Sequence, residues 1–207
     1  MKRYSAFSLA EVLITLGIIG VVAALTIPSL ISIYHRRVVE TKLKKFYSVM
    51  NQAIKLSQED NDGFPPIDTS SVKDNDNVEL IKDYYNKYII KYMSGAMIAN
   101  SSSSFGVRVL LNDGSGFTSY LQRHAINDSP TLWVMYCLNA NEKECKWNVY
   151  DGKNQFLFYI DTENSHLEVF GSGKDGCYNA KPEFRHTCAS VIKQNGWKIP
   201  NDYPWIK

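Results

Sequence analysis

The stretch that decides the fold lies near the N terminus, where residues 7–59 read FSLAEVLITLGIIGVVAALTIPSLISIYHRRVVETKLKKFYSVMNQAIKLSQE. Residues 12–35 are 24 consecutive positions without Lys, Arg, Asp or Glu. Because a helix rises about 1.5 Å per residue, some 20 apolar residues are enough to cross the hydrocarbon core of a bilayer. The sequence therefore predicts a membrane-spanning helix over residues 7–34.

Beyond the apolar run, the hydrophobic pattern becomes that of an amphipathic helix over residues 35–59. The residues of the repeating face are spaced four or three apart: Val39, Leu43, Phe46, Met50, Ala53 and Ser57. This spacing predicts a helix that packs one face on a folded head. No glycine or proline lies between Pro28 and Gly63, so one helix from Phe7 to about Glu59, roughly 80 Å long if straight, is expected. Two helices separated at Pro28 are the alternative.

Pro28 is the predicted kink in this helix. Its nitrogen carries no hydrogen and its ring meets the carbonyl of Ala24, so a bend or local unwinding is expected between Gly20 and Pro28. Gly17 and Gly20 could let a neighbouring helix approach closely in lipid, although glycine is also ordinary in membrane helices.

Length and charge limit the function classes. The 207 residues, 44% hydrophobic and 21% charged, suit one domain with an added arm. Net charge is +2, so a dedicated nucleic-acid binder is not expected and no specific nucleic-acid partner is predicted. Residues 1–59 carry eight basic and three acidic side chains, against fifteen and eighteen in residues 60–207. The N-terminal arm therefore differs in character from the rest.

Residues 60–207 read as a globular α+β head. A polar loop is predicted over 60–77, a tyrosine-rich helix over 78–93 and a serine linker over 101–104. Strand patterns follow in two hairpins, a single run and an edge strand: 107–111 with 117–121, 131–138, 147–150 with 155–160, and 166–170. The fold class is thus a long N-terminal helix packed on an antiparallel sheet. The aromatic tail 196–207 reads as a strap on the head.

The residues around the start of the apolar run resemble those of a known family. Residues 6–14, AFSLAEVLI, resemble the N-terminal signature of type IV prepilins and type II secretion pseudopilins. The resemblance implies a leader peptide 1–6, cleavage between Ala6 and Phe7 by a prepilin peptidase, and N-methylation of Phe7. Glu11 would become the fifth residue of the mature chain. The departures are Ala6, where glycine is usual, and Ala10, where a large aliphatic residue is common.

The resemblance also implies a role for Glu11. In this family the glutamate is thought to neutralise the N-terminal amine of a neighbouring subunit, here that of Phe7, and so could set the subunit register. A carboxylate in an apolar bundle needs such a partner. The alternative is an unpaired glutamate that extends toward the membrane interface.

The function implied is a structural filament subunit, not an enzyme. Major pilin, minor pilin and pseudopilin fit equally. The implied partners are the prepilin peptidase and N-methyltransferase, other pilin subunits, an inner-membrane assembly platform and, before assembly, the lipid bilayer. The implied location is the inner membrane with an extracytoplasmic head, followed by a periplasmic or surface filament. The rival hypothesis is an exported or membrane-anchored extracytoplasmic binding domain behind an ordinary signal or anchor segment.

The flanking charges and the cysteines predict opposite orientations of the chain in the membrane: the charges favour a cytoplasmic head, and the cysteines favour a head in an oxidising exterior. Basic residues after the apolar run outnumber Lys2 and Arg3, which by the positive-inside rule would place the head in the cytoplasm. With the head outside, two disulfides are expected. Of three connectivities, the local pairs Cys137–Cys145 and Cys177–Cys188 are favoured, and free buried thiols are the alternative. The absence of CxxC spacing argues against a zinc ribbon.

The sequence contains no recognisable catalytic or metal-binding motif. The chain has no P-loop, no GxSxG and no dinucleotide fingerprint, and its four histidines are scattered. No cofactor is predicted. Late loops could gather Ca²⁺ through acidic residues that also serve as turn formers: Asp151, Asp161, Glu163 and Asp175. A basic cluster of Arg36, Arg37, Lys42, Lys44 and Lys45 could touch lipid phosphates or DNA, but a solvated helix face is preferred.

Overall fold

The computed structural model describes residues 8–65, 67, 78–99, 106–126, 129–141, 145–146, 148–161 and 164–206. The predicted cleavage site at Ala6 and Phe7, the serine linker 101–104 and most of the loop 60–77 lie outside these residues, as do Trp147 and Glu163.

Helix α1, Leu9–Asp60, is a single helix of 52 residues. Ser8 caps its N terminus in a capping box with Glu11. Pro28 lies inside α1, which continues as helix on both sides of it. A proline removes one donor from the helix, and the neighbouring turns keep their own hydrogen bonds. The alternative of two helices is therefore wrong, as is local unwinding before Pro28, whereas a bend there stays a prediction.

The second half of α1 is the spine of the head. All six residues of the predicted stripe are buried, and Ile54 joins them. Phe46 lies at the centre, with its ring stacked on Tyr136 at 4.3 Å between centroids and edge-on to Phe158 at 5.4 Å. Because these aromatic side chains belong to strands of the sheet, the predicted packing of the amphipathic helix on the sheet is confirmed.

The sheet has six antiparallel strands in chain order, β1 to β6. Their bounds are Met97–Ala99, Val107–Leu110, Gly116–Ile126, Ser129–Cys137, Gln155–Asp161 and His166–Val169. Strand residues alternate between the α1 side and a smaller aromatic cluster around Trp133 on the other face. The predicted α+β class is confirmed.

The predicted strand 147–150 is wrong in its described residues, because 148–150 lie outside any strand. Asp151 explains the break: its Oδ1 accepts the backbone N–H groups of Lys153, Asn154 and Gln155 at 2.7–2.8 Å. This tight turn leads directly into β5, which pairs with β4 and β6 instead. Strand β1 was not predicted from the sequence.

Two further helical regions flank the sheet. Helix α2, Val78–Tyr88, is followed by a 3₁₀ turn, Ile90–Tyr92, and together they match the predicted helix 78–93. The C-terminal part contains two short helices, α3 at Lys174–Cys177 and α4 at Cys188–Gln194, with a 3₁₀ turn at Pro182–Phe184 between them. The sequence reading of this part as loop and strap missed both helices.

Candidate assembly segment and its attachment to the head

The first half of α1 is an apolar surface without a partner inside the chain. It contains a window long and apolar enough to cross a membrane, none of which is buried. Leu25, for example, is 76% exposed and Leu9 78%. Burying one large aliphatic side chain contributes about 1.5–3 kcal/mol. More than ten such side chains side by side make this segment stable only against lipid or other helices.

Three side-chain hydroxyl groups of this segment are satisfied within the helix. The hydroxyl groups of Thr15, Thr26 and Ser29 donate to carbonyls of the preceding turn at 2.9 Å. Gly17 and Gly20 face open space, since an added Cβ would meet no heavy atom within 4 Å. Hydroxyl groups that bond within the helix suit a medium without water, and the two glycines leave room for close approach of another helix.

Glu11 lies at the exposed N-terminal end of this surface. Its Oε2 accepts from the backbone N–H of Ser8 at 2.8 Å and from the Ser8 hydroxyl at 2.9 Å, while the Glu11 N–H donates to Ser8 Oγ at 3.3 Å. This reciprocal arrangement satisfies N-terminal donors of α1, and the helix dipole favours a carboxylate there. The structure thus gives Glu11 a capping role that the sequence reading missed, although the Ser-x-x-Glu pattern signals it.

A clamp between α1 and the C-terminal segment holds the head to the helix just past the apolar run. The Arg36 guanidinium donates through Nη2 to the carbonyls of Ile199 at 2.6 Å and Pro200 at 3.3 Å, and through Nη1 to that of Ile206 at 3.3 Å. One turn later, Glu40 accepts from the Ile199 N–H at 2.9 Å and from Lys198 Nζ at 2.8 Å.

Electrostatics favour the charged form of Glu40 in this clamp. Burial raises the pKa of Glu40. The hydrogen bonds from Lys198 and Ile199, with the positive charges of Lys198 and Arg36, outweigh that effect and hold the pKa below its ordinary value. The clamp is therefore a charge-assisted contact.

Aromatic and ionic contacts extend the clamp along α1. The ring of Trp197 lies 5.0 Å from that of Tyr47. Lys193 on α4 donates to the Tyr47 hydroxyl at 2.9 Å and forms an ion pair with Glu168 on β6. Helix α1, strand β6 and helix α4 are thus joined at one place.

Three of the five basic residues, Arg36, Lys42 and Lys45, contact the head, whereas Arg37 and Lys44 are exposed as the solvated-face reading predicted. Besides Arg36, Lys42 donates to the carbonyls of Leu138 at 3.0 Å and Asp113 at 3.2 Å, and Lys45 pairs with the Asp113 carboxylate at 3.2 Å. The cations lie close to the buried stripe of α1, so their side chains reach backbone carbonyls of the head.

Both local cysteine pairs are disulfides: Cys137–Cys145 and Cys177–Cys188. The second pair supports the end of the C-terminal segment. The indole N–H of Trp205 donates to the Cys177 carbonyl at 2.8 Å, and the Arg185 guanidinium lies 3.3 Å from the centroid of the Trp205 ring. The tail predicted as a strap therefore lies against the head at several points.

Three of the four acidic residues considered for calcium, all except Glu163, which lies outside the described residues, serve turns or a helix end. Asp151 receives three backbone N–H groups, Asp161 accepts from the Asn164 N–H at 3.0 Å, and Asp175 lies in the first turn of α3. Within the described ranges, no group of three or more His, Cys, Asp or Glu side chains could hold a metal ion. Calcium binding by these loops stays a hypothesis.

Two family comparisons cover nearly the whole chain. The model of DUF6613, a family of unknown function, matches residues 29–173 and 167–206. The prokaryotic N-terminal methylation motif matches residues 1–27. No curated protein and no solved structure matches this chain.

Proposed function

We propose that this chain, which belongs to the family of unknown function DUF6613 and carries a prokaryotic N-terminal methylation motif, is a structural subunit of a type IV pilus-like or type II secretion pseudopilus filament. The motif is the pilin and pseudopilin signature, and with the long apolar helix it fits a membrane-anchored pilin. It suggests a structural subunit and not an enzyme.

One observation carries this proposal: the two halves of α1 have opposite environments. None of the membrane-length apolar window is buried, whereas seven residues between Val39 and Ser57 are buried in the head. An ordinary signal sequence is removed and needs no rigid connection to the domain. Here the exposed half continues without a break into the spine of the head, so a force on one would be transmitted to the other.

The proposed function involves two stages, processing of the precursor and assembly into a filament. The precursor sits in the inner membrane with its head outside, and the peptidase removes residues 1–6 and methylates Phe7. An assembly platform then transfers the apolar half of α1 from lipid into a bundle of such helices. Glu11 would pair with the amine of Phe7 on a neighbouring subunit, because a carboxylate and an ammonium leave water at less cost together than alone.

The decisive experiment is mass spectrometry of the mature N terminus, purified from membranes of the natural host. A methylated Phe7 is expected. Ala6→Leu should accumulate the uncut precursor, because a bulky side chain precedes the cleaved bond, whereas the control Ser5→Leu places the same side chain one residue away. A chain that begins near Leu25 would support the rival exported domain, and normal cleavage of Ala6→Leu would contradict the proposal.

A pair of Glu11 variants separates the two roles of its carboxylate. Glu11→Gln retains an oxygen that can accept from Ser8 but loses the charge, and Glu11→Ala loses both. If the charge pairs with a neighbouring amine, both variants stay in the membrane and fail to form filaments visible by electron microscopy. Filaments from Glu11→Gln at the normal level would show that Glu11 acts as a helix cap only.

A further inference from the structure

A groove of about 500 Å³ lies where the apolar half of α1 meets the head. One wall is formed by the turns of α1 from Pro28 to His35, and the other by Lys153 and the C-terminal residues Pro204 to Ile206. Tyr34 and Ile33, on the same turns, are exposed. If the apolar half spans a bilayer, the groove lies at the level of the lipid head groups.

The lining changes in character along the groove. Pro28, Ile31 and the Trp205 ring supply apolar surface, while the Ser32 hydroxyl, the His35 imidazole and the exposed Lys153 ammonium are polar or basic. No acidic residue occurs among the described residues that line it. The apolar surface beside the apolar half of α1 complements the acyl chains of an anionic phospholipid, and the cation beside the head complements its phosphate.

We propose that this groove binds an anionic phospholipid of the bilayer that holds the chain, with the phosphate beside Lys153 and the acyl end along Ile31 and Trp205. The inference rests on the proposed membrane anchor and deepens it by naming the lipid class. Trp side chains favour the membrane interface, where the ring meets acyl carbon and the N–H stays hydrogen-bonded. The Trp205 N–H already donates to the Cys177 carbonyl, and the ring lines the groove where acyl carbon would lie.

The test uses the full chain in nanodiscs of phosphatidylcholine containing about one fifth phosphatidylglycerol. Native mass spectrometry of the released protein measures how far bound phosphatidylglycerol exceeds its share in the disc. Lys153→Gln should reduce that enrichment about fivefold, the typical effect of one lysine near an anionic surface. Lys55→Gln is the matched control, because Lys55 is also exposed but lies near the C-terminal end of α1, away from the groove.

The outcomes distinguish this inference from the proposed function. Equal enrichment in the wild type, Lys153→Gln and Lys55→Gln would overturn the lipid site while the chain remained embedded. Cross-links between Trp205 of one copy and α1 of another, without enrichment, would also overturn it and identify a second subunit as the occupant. A chain that fails to enter discs of either composition would refute the membrane anchor itself.

Discussion

Replacement of Arg36 by methionine tests the clamp that joins α1 to the C-terminal segment. Methionine keeps a long apolar stem and removes every guanidinium donor. The carbonyls of Ile199, Pro200 and Ile206 then lose their contacts at 2.6, 3.3 and 3.3 Å. A hydrogen bond from a charged donor contributes about 1.5–3 kcal/mol net. Because only one of the three is short and Arg36 is half-buried, we expect a loss of about 2 kcal/mol in the free energy of unfolding.

The assay is equilibrium unfolding of the full chain by urea in a mild detergent, followed by tryptophan fluorescence. With a denaturant slope of about 2 kcal/mol per molar, the midpoint should fall by about 1 M. Trypsin should also cleave after Lys198 faster, because that segment loses its attachment to α1. Arg37→Met is the control, since Arg37 is the exposed neighbour on the same helix. Equal midpoints for the two variants would refute the clamp as a stabilising contact.

Three further predictions concern the head. Phe46→Ala should lower the free energy of unfolding by about 3–5 kcal/mol in the same assay, through the cavity left in the aromatic core; an effect below 1 kcal/mol would contradict the packing. Loss of the C-terminal disulfide in Cys177→Ser/Cys188→Ser should cost about 2–4 kcal/mol and increase proteolysis of the C-terminal segment, which unchanged cleavage would contradict. Glu40 should stabilise the head fully above its ordinary pKa of 4.5, and this contribution should decline as pH falls through its lowered pKa; Glu40→Gln should lose that part of the acid dependence.

The buried stripe of α1 was predictable because one uninterrupted period of 3.6 residues runs from Val39 to Ser57, and a helix with such a face must pack it against something. The strands around Phe117 and Phe158 were predictable for a similar reason: β-branched and aromatic residues are concentrated between turn formers. In both cases the signal is local to the element.

The errors fall where a turn interrupts a strand-like pattern or where a helix is too short to show a period. Val149 and Tyr150 have strand-forming side chains, but Asn148 before them has a φ of 54° and the Asp151 turn follows directly, so no strand forms. Helix α4 has seven residues, which is too short for periodicity to distinguish it from a loop.

The clamp could not be predicted from the sequence. The carbonyls that accept from Arg36 lie 163 to 170 positions away in the sequence. Because every residue has a backbone carbonyl, the sequence does not indicate which ones an arginine will contact. The spacing of four residues between Arg36 and Glu40 indicates only that these two side chains lie on one side of the helix. The apolar first half of α1, by contrast, was predictable, because a run of apolar residues long enough to cross a membrane is itself the signal.

The separation between Arg36 and its acceptors also governs when the protein can finish folding. Contacts that close a loop of 170 residues carry a large entropic cost and form late. A chain made from its N terminus cannot complete them until residue 206 has left the ribosome. The apolar half of α1 is therefore synthesised long before the head can close on the helix, and every newly made copy passes through a period in which that helix is exposed beside an unfinished head.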